Sequence, residues 1–213
     1  MKAVAFKSFD NRLARWLPDD RDARILDVAC GEGALLSYLR SRGYRNLEGF
    51  DISRENVRIC HRLGLPFVSE RDLTRLPCEP ASGAYDLIFA MDVIEHIPKD
   101  SAAGVLEALR LRLKREGSLV IQTPNMGYLL AQFYRYGDLT HEFGVNENSM
   151  VDLLVAAGFS DTSIEVSANW EATTFAGRLR DAYLRLIHRL VFLMDGATRP
   201  RIPTKNLLVR ARA

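Results

Sequence analysis

Residues 25–33 read Ile-Leu-Asp-Val-Ala-Cys-Gly-Glu-Gly. A short apolar strand runs straight into a glycine turn, where a buried strand would hand over to a helix. That handover constrains the chain more than any other feature. A strand that feeds a helix needs a right-handed crossover to a parallel neighbour, and the crevice of such a sheet opens at the carboxyl ends of its strands. Glycine at 31 and 33 lets a ligand approach the backbone, and the free amides of the helix start attract polar groups. A tight turn needing positive φ accounts for either glycine alone equally well. The nucleoside-triphosphate loop does not fit, because no Gly-Lys-Ser/Thr follows. The dinucleotide fingerprint would need glycine at 36, where the chain has Leu36.

The elements then alternate. Apolar runs predict strands at 24–29, 47–50, 66–69, 85–90 and 118–122, separated by helices at 34–42, 53–63 and 99–113. The run at 85–90 is nearly all apolar, as a strand covered on both faces should be. An amphipathic helix over 6–17, with Phe9, Leu13 and Leu17 on one side, precedes them. After 122 the pattern changes. Residues 123–146 are rich in Pro, Gly and Tyr without strand periodicity, which makes them a candidate lid. A helix at 147–157, a strand at 162–166, a helical insertion within 170–198 and a last strand at 205–211 complete the order. The expected fold is one α/β domain over 1–213: an open, doubly wound, mostly parallel sheet with an antiparallel C-terminal edge strand and helices on both faces.

Two acids stand at the expected carboxyl ends. Asp51 closes the second strand, where a carboxylate can accept both hydroxyl protons of a ribose; a helix-capping acid is the alternative. Asp72 follows the third strand and suits the amino group of adenine, with Leu73 packing near the ring; a turn acid is the alternative. The ligand expected is therefore one containing adenosine.

The residues ILDVACGEG at 25–33, GFDIS at 49–53, RDL at 71–73 and YDLIFAMDVIEHIP at 85–98 together resemble the class I S-adenosylmethionine-dependent methyltransferases, over nearly the whole chain. The resemblance implies a Rossmann-like seven-stranded sheet and S-adenosylmethionine as cofactor. It implies that Asp27 orients the glycine loop or reaches the methionine part, and that Ala29, Gly31 and Gly33 bring backbone to the cofactor. Asp51 with Ile52 would hold the ribose, Asp72 and Leu73 would frame adenine, and Met91 would sit beside the methionine portion. The segment 92–98 resembles that of small-molecule O-methyltransferases, with Glu95 and His96 near the mouth of the site.

Methyl transfer to a hydroxyl needs orientation, shielding and removal of a proton, and histidine can take a proton near neutral pH. His61 falls on the second surface helix and His188 on the late helix, both away from a strand carboxyl end. The candidates are His141, in the lid, and His96. A metal is not expected, because the few acids and histidines show no compact ligand spacing. Residues 140–159 resemble methyltransferases acting on glycans and surface-polymer precursors, as in polysaccharide biosynthesis. By that likeness Tyr128, Phe133, Tyr134 and Tyr136 line the acceptor pocket. Glu142, adjacent to His141, suits positioning the substrate or supporting a charged imidazole, and Asn125, after the fifth strand, suits holding the acceptor or ordering the loop. The expected reaction is methylation of a sugar or glycan-like hydroxyl. A quinone, phenolic or nitrogen acceptor, or a non-catalytic scaffold, is the alternative.

Composition bounds the rest. A formal charge of +2 in 213 residues gives no case for nucleic acid as partner, and the arginine clusters look like solvated helix faces. Three cysteines without CxxC spacing point to a reducing compartment. The start lacks the apolar region of a secretion signal, so a cytoplasmic monomer or homodimer is expected. Residues 178–194 carry an apolar stripe (Leu179, Tyr183, Leu186, Ile187, Leu190, Met194) flanked by arginines. It suits the inner face of an anionic membrane, the protein's own core or a partner.

Overall fold

The computed structural model describes residues 2–76, 84–170, 172, 174–196 and 200–213. Cys78 and the end of the expected 170–198 insertion lie outside them. Helix α1 (Lys2–Leu13) comes first, and the 3-10 turn Ala14–Trp16 takes up the residues expected to continue it. Strand β1 (Ile25–Val28), helix α2 (Ala34–Ser41), strand β2 (Leu47–Asp51), helix α3 (Arg54–Arg62) and strand β3 (Val68–Glu70) follow. Then come β4 (Tyr85–Met91), α4 (Lys99–Arg110) and β5 (Leu113–Pro124). Helices α5 (Ala131–Gly137) and α6 (Glu147–Ala156), strand β6 (Ile164–Ala168), helix α7 (Phe175–Asp195) and strand β7 (Asn206–Arg212) complete the chain.

The strands form one seven-stranded sheet in the order β3-β2-β1-β4-β5-β7-β6. Strands β1 to β5 run parallel, and β7 is antiparallel to both β5 and β6. This is the doubly wound Rossmann-like fold expected. Its antiparallel closure is refined in one respect: the last strand lies inside the hairpin, and β6 occupies the edge.

Period-two alternation splits each central strand between two cores. Leu26, Val28, Ile88 and Ala90 pack on the face that carries α4 and α6, with Leu106, Leu109 and Leu154. Ile25, Leu87 and Phe89 pack on the other face, with Leu13, Leu36, Leu39 and Cys60 from α1, α2 and α3. Fully burying a leucine or phenylalanine stabilises by about 1.5–3 kcal/mol, so these two layers hold the sheet.

Local signals set several boundaries. The Ser53 hydroxyl accepts the amide of Asn56 at 3.3 Å and starts α3. Asn146 and Ser149 form a reciprocal capping box that starts α6. The expected helix over 99–113 ends early: Leu113 falls on its apolar period but pairs with Tyr85 as the first residue of β5. A bulge with Glu116 at φ 66° shifts the register of β5 against β4 between Leu113 and Ser118. Helix α5 lies inside 123–146, where no element was expected.

Candidate cofactor and acceptor site

The order of the strands reverses between β1 and β4, so their carboxyl ends are where a cleft should open. A cleft of about 370 Å³ lies there, lined by Asp27, Ala29, Cys30, Gly31, Met91 and Asp92, by Gln122 from β5, and by Ser8, Phe9 and Arg12 from α1. The turn that makes it is unusual backbone: Ala29, Gly31 and Gly33 all have positive φ, at 53°, 54° and 76°. Ala29 has a side chain, and left-handed backbone costs such a residue roughly 1–2 kcal/mol, a strain that is kept where a close backbone approach is used. A methyl group on Gly31 would meet nothing within 4 Å, so that the backbone there faces open space. On Gly33 it would come within 2.7 Å of Leu65 and 2.9 Å of Cys60, so Gly33 is required for packing against α3.

Asp51 ties this turn to the next strand. One carboxylate oxygen accepts the Gly31 amide at 2.8 Å, and the other accepts the Ser53 amide at 2.8 Å and the Asn56 side chain at 3.1 Å. Asp27 is buried beneath the turn. Its carboxyl is pushed up to about 8 by burial and then by the charge of Asp51. A buried acid held near neutrality suits a cationic ligand, whose arrival would ionise it. Ile52, 68% exposed, and buried Leu73 lie along the carboxyl ends of β2 and β3, beyond the cleft itself. Asp72 caps the 3-10 turn Leu73–Arg75: one of its oxygens accepts both the amide and the hydroxyl of Thr74, and Arg75 lies 3.3 Å from the other. Its pKa is lowered by those hydrogen bonds. This supports the turn-acid alternative for Asp72.

Of the cleft residues absent from the expected set, Arg12, Gln122 and Asp92 form a polar chain across it. Arg12 hydrogen-bonds the side-chain oxygen of Gln122, and the Gln122 amide donates to Asp92 at 2.6 Å. Asp92 itself has φ 51°. Its position after β4 was a signal within the sequence. The reach of α1 across the cleft was not.

The other expected residues divide. His96 and His141 meet, with ring centroids 4.8 Å apart and edge-on, although 44 residues separate them. Glu95 joins them: one donor atom from each of the three lies within 4.8 Å of the others. Burial, followed by weaker repulsion from Asp92 and Asp138, pushes Glu95 up to about 7, against the hydrogen bond from Thr123. The Glu142 amide donates to the Glu95 carbonyl at 2.8 Å, while its side chain is exposed, so Glu142 acts here through its backbone. Asn125 is buried, and its amide group is spent on the carbonyls of Ile202 and Thr204 and on the Gly127 amide. That supports its loop-ordering role.

Tyr128 and Tyr134 do line a second cleft, of about 430 Å³, together with Tyr183, Leu184, Arg180 and Lys205. Phe133 and Tyr136 do not: they are 75% and 72% exposed, because α5 is a single short helix that can turn only one side inward. Asn169 joins this cleft to the first by donating to Gln122 at 2.8 Å. His61 bonds the Val68 carbonyl, and His188 is buried on α7 beside Phe192.

A family model described as a methyltransferase domain matches residues 3–164. A ubiquinone biosynthesis O-methyltransferase of Ralstonia nicotianae is 30% identical over 115 residues, which are 51% of this chain and 47% of that protein. The chain thus matches about half the length of such curated relatives. A solved S-adenosylmethionine-dependent methyltransferase from Archaeoglobus fulgidus shares the fold with a TM-score of 0.72 and 20% identity, over 98% of this chain and 94% of that one. Another from Mesorhizobium loti gives a TM-score of 0.68 at 18% identity, over 97% and 98%. The glycine turn, Asp27, Asp51 and the open cleft fit a ligand of adenosine and a cationic amino acid, and S-adenosylmethionine is that ligand. With its glycine cleft, its sheet order and a match over residues 3–164, the chain belongs to the methyltransferase-domain family, in its class I S-adenosylmethionine-dependent form.

Proposed function

We propose that the protein methylates a hydroxyl of a small phenolic or quinol-type acceptor. The observation that carries this reading is the second cleft, whose walls include Tyr128, Tyr134, Tyr183 and Leu184. Aromatic side chains offer faces and edges to a planar ring. The relatedness to an enzyme named for ubiquinone biosynthesis supports the same acceptor class, and it is why the phenolic acceptor replaces the expected sugar or glycan.

The cofactor supplies an electrophilic methyl group, and the protein's part is to align the acceptor and exclude water. Asp27 and the backbone of Ala29 and Gly31 hold the methionine side, and Asp51 and Ile52 hold the ribose. Asp72 and Leu73 stand at the adenine end, and Met91 flanks the reacting side. His96 and His141 handle the acceptor hydroxyl, and residues 123–146, with α5, close over it as a lid.

A labelled-methyl assay across phenols, quinols, sugars, nucleotide-sugars and amines tests the reading. Phenols are expected to turn over best, and His141→Asn is expected to abolish turnover while S-adenosylhomocysteine still binds. A clear preference for sugars or amines would overturn the acceptor class.

We also infer contact with an anionic membrane through α7. The leucines of the stripe, Leu179, Leu186 and Leu190, are 64%, 53% and 43% exposed, while Tyr183 turns toward the second cleft. Exposed arginines at 178, 185 and 189 flank it. Among the described residues no helix is long and apolar enough to cross a membrane, so the contact is peripheral.

A further inference from the structure

We propose that Glu95, His96 and His141 bind a divalent transition-metal ion of the Zn²⁺ class. Two imidazoles and one carboxylate form a donor set suited to such an ion, with at least one coordination position left open. The oxygen-preferring Mg²⁺ and Ca²⁺ fit a site with two nitrogen donors less well.

The three donors lie within 4.8 Å of one another. Bonds of about 2.0–2.2 Å set tetrahedral donors roughly 3.4 Å apart, so modest rotation of the two rings closes the set. Their surroundings hold them ready. The Thr140 hydroxyl donates its one proton to Asp138 at 2.7 Å, so that toward His96 Nδ1, at 2.9 Å, it can only accept. His96 Nδ1 therefore carries the proton, and Nε2 presents a lone pair. An outer carboxylate acting through a hydroxyl to fix the ligand's tautomer is a recurrent support of metal-bound histidine. The Thr123 hydroxyl donates to Glu95 at 3.1 Å and orients that carboxylate in the same way.

The two segments that bring the donors together are also pinned. Arg135 donates to the carbonyls of His141 and Glu142 at 2.7 and 2.9 Å, and the Glu142 amide reaches the Glu95 carbonyl. Nothing in the spacing announced this site, because His141 comes from the far side of α5. Its role rests on the acceptor reading above: an ion here supplies Lewis acidity to a hydroxyl oxygen, which a lone histidine would otherwise have to deprotonate.

The test uses the untagged full chain, stripped with chelator and titrated with Co²⁺ by electronic absorption and with Zn²⁺ by calorimetry. Saturation at one ion per chain with visible Co²⁺ bands is expected. His96→Ala with His141→Ala is expected to abolish the bands, and Thr140→Val to weaken binding about 10- to 100-fold. Absence of Co²⁺ bands in the wild type, or binding unchanged in the double variant, would overturn the site. S-adenosylhomocysteine binding, measured in chelator, separates the two claims. If it persists without metal binding, the metal site falls and the methyltransferase reading stands; if metal binds and the nucleoside does not, the reverse holds. Circular dichroism confirms that each variant is folded.

Discussion

Gly31 and Gly33 share one turn and one sign of φ, yet a methyl group would act differently on each. Gly33→Ala adds a clash with Leu65 and Cys60 to its backbone strain, and a loss of about 2–4 kcal/mol is expected by thermal denaturation. Gly31→Ala meets open space, so a smaller loss of about 1–2 kcal/mol is expected, together with a marked loss of S-adenosylhomocysteine affinity by calorimetry. Asp27 brings a pH dependence. It lies by Asp51 and Cys30 in the cleft it shares with Asp92 and Arg12, and its folded pKa is raised to about 8 from the ordinary carboxylate value of 3.8. Between those values the native state binds the extra proton, so this group's stabilising contribution is complete below about pH 4 and is lost as pH rises to about 8. Asp27→Asn should therefore gain melting temperature relative to wild type from about pH 5 to 8. A bound ammonium group beside Asp27 should expel its proton, making the calorimetric heat near neutral pH depend on the buffer in wild type but not in Asp27→Asn. That an acid stands in the first strand just before the glycine turn was legible in the sequence. Its protonation was not, since burial and the nearness of Asp51 are properties of the fold.

At the scale of elements, the sequence read the first three βα units well because each strand is a short apolar run stopped by a turn residue. Boundaries slipped where one residue satisfied two patterns, as Leu113 does for helix and strand. Helix α5 was missed because seven residues with Gly137 at their end make less than two full turns, too few to show a period. Helix α7 was found, but which side faces inward was decided elsewhere. Asp181 and His188 are buried while the leucine stripe is exposed, because the side of α7 that carries them lines clefts shared with Ala168, Asn169, Thr204 and Lys205, at the ends of β6 and β7. Leu186→Glu with Leu190→Glu should thus change unfolding stability by less than about 0.5 kcal/mol and reduce sedimentation with anionic vesicles. Unchanged sedimentation would remove the membrane assignment.

For the whole molecule, a cofactor that binds only the folded chain should raise its stability by about 2.7 kcal/mol at a hundredfold excess over its Kd, read as a shift in melting temperature with S-adenosylhomocysteine. The sequence by itself determined the alternating α/β order, the glycine turn and the acids of the strands beside it, because hydrophobic period and turn chemistry are local and are written in consecutive residues. Only the tertiary structure decided the placement of β7 between β5 and β6, the reach of Arg12 over the cleft and the meeting of Glu95 and His96 with His141. These depend on which distant segments the packed sheet brings side by side, and the spacing along the chain carries no record of that distance.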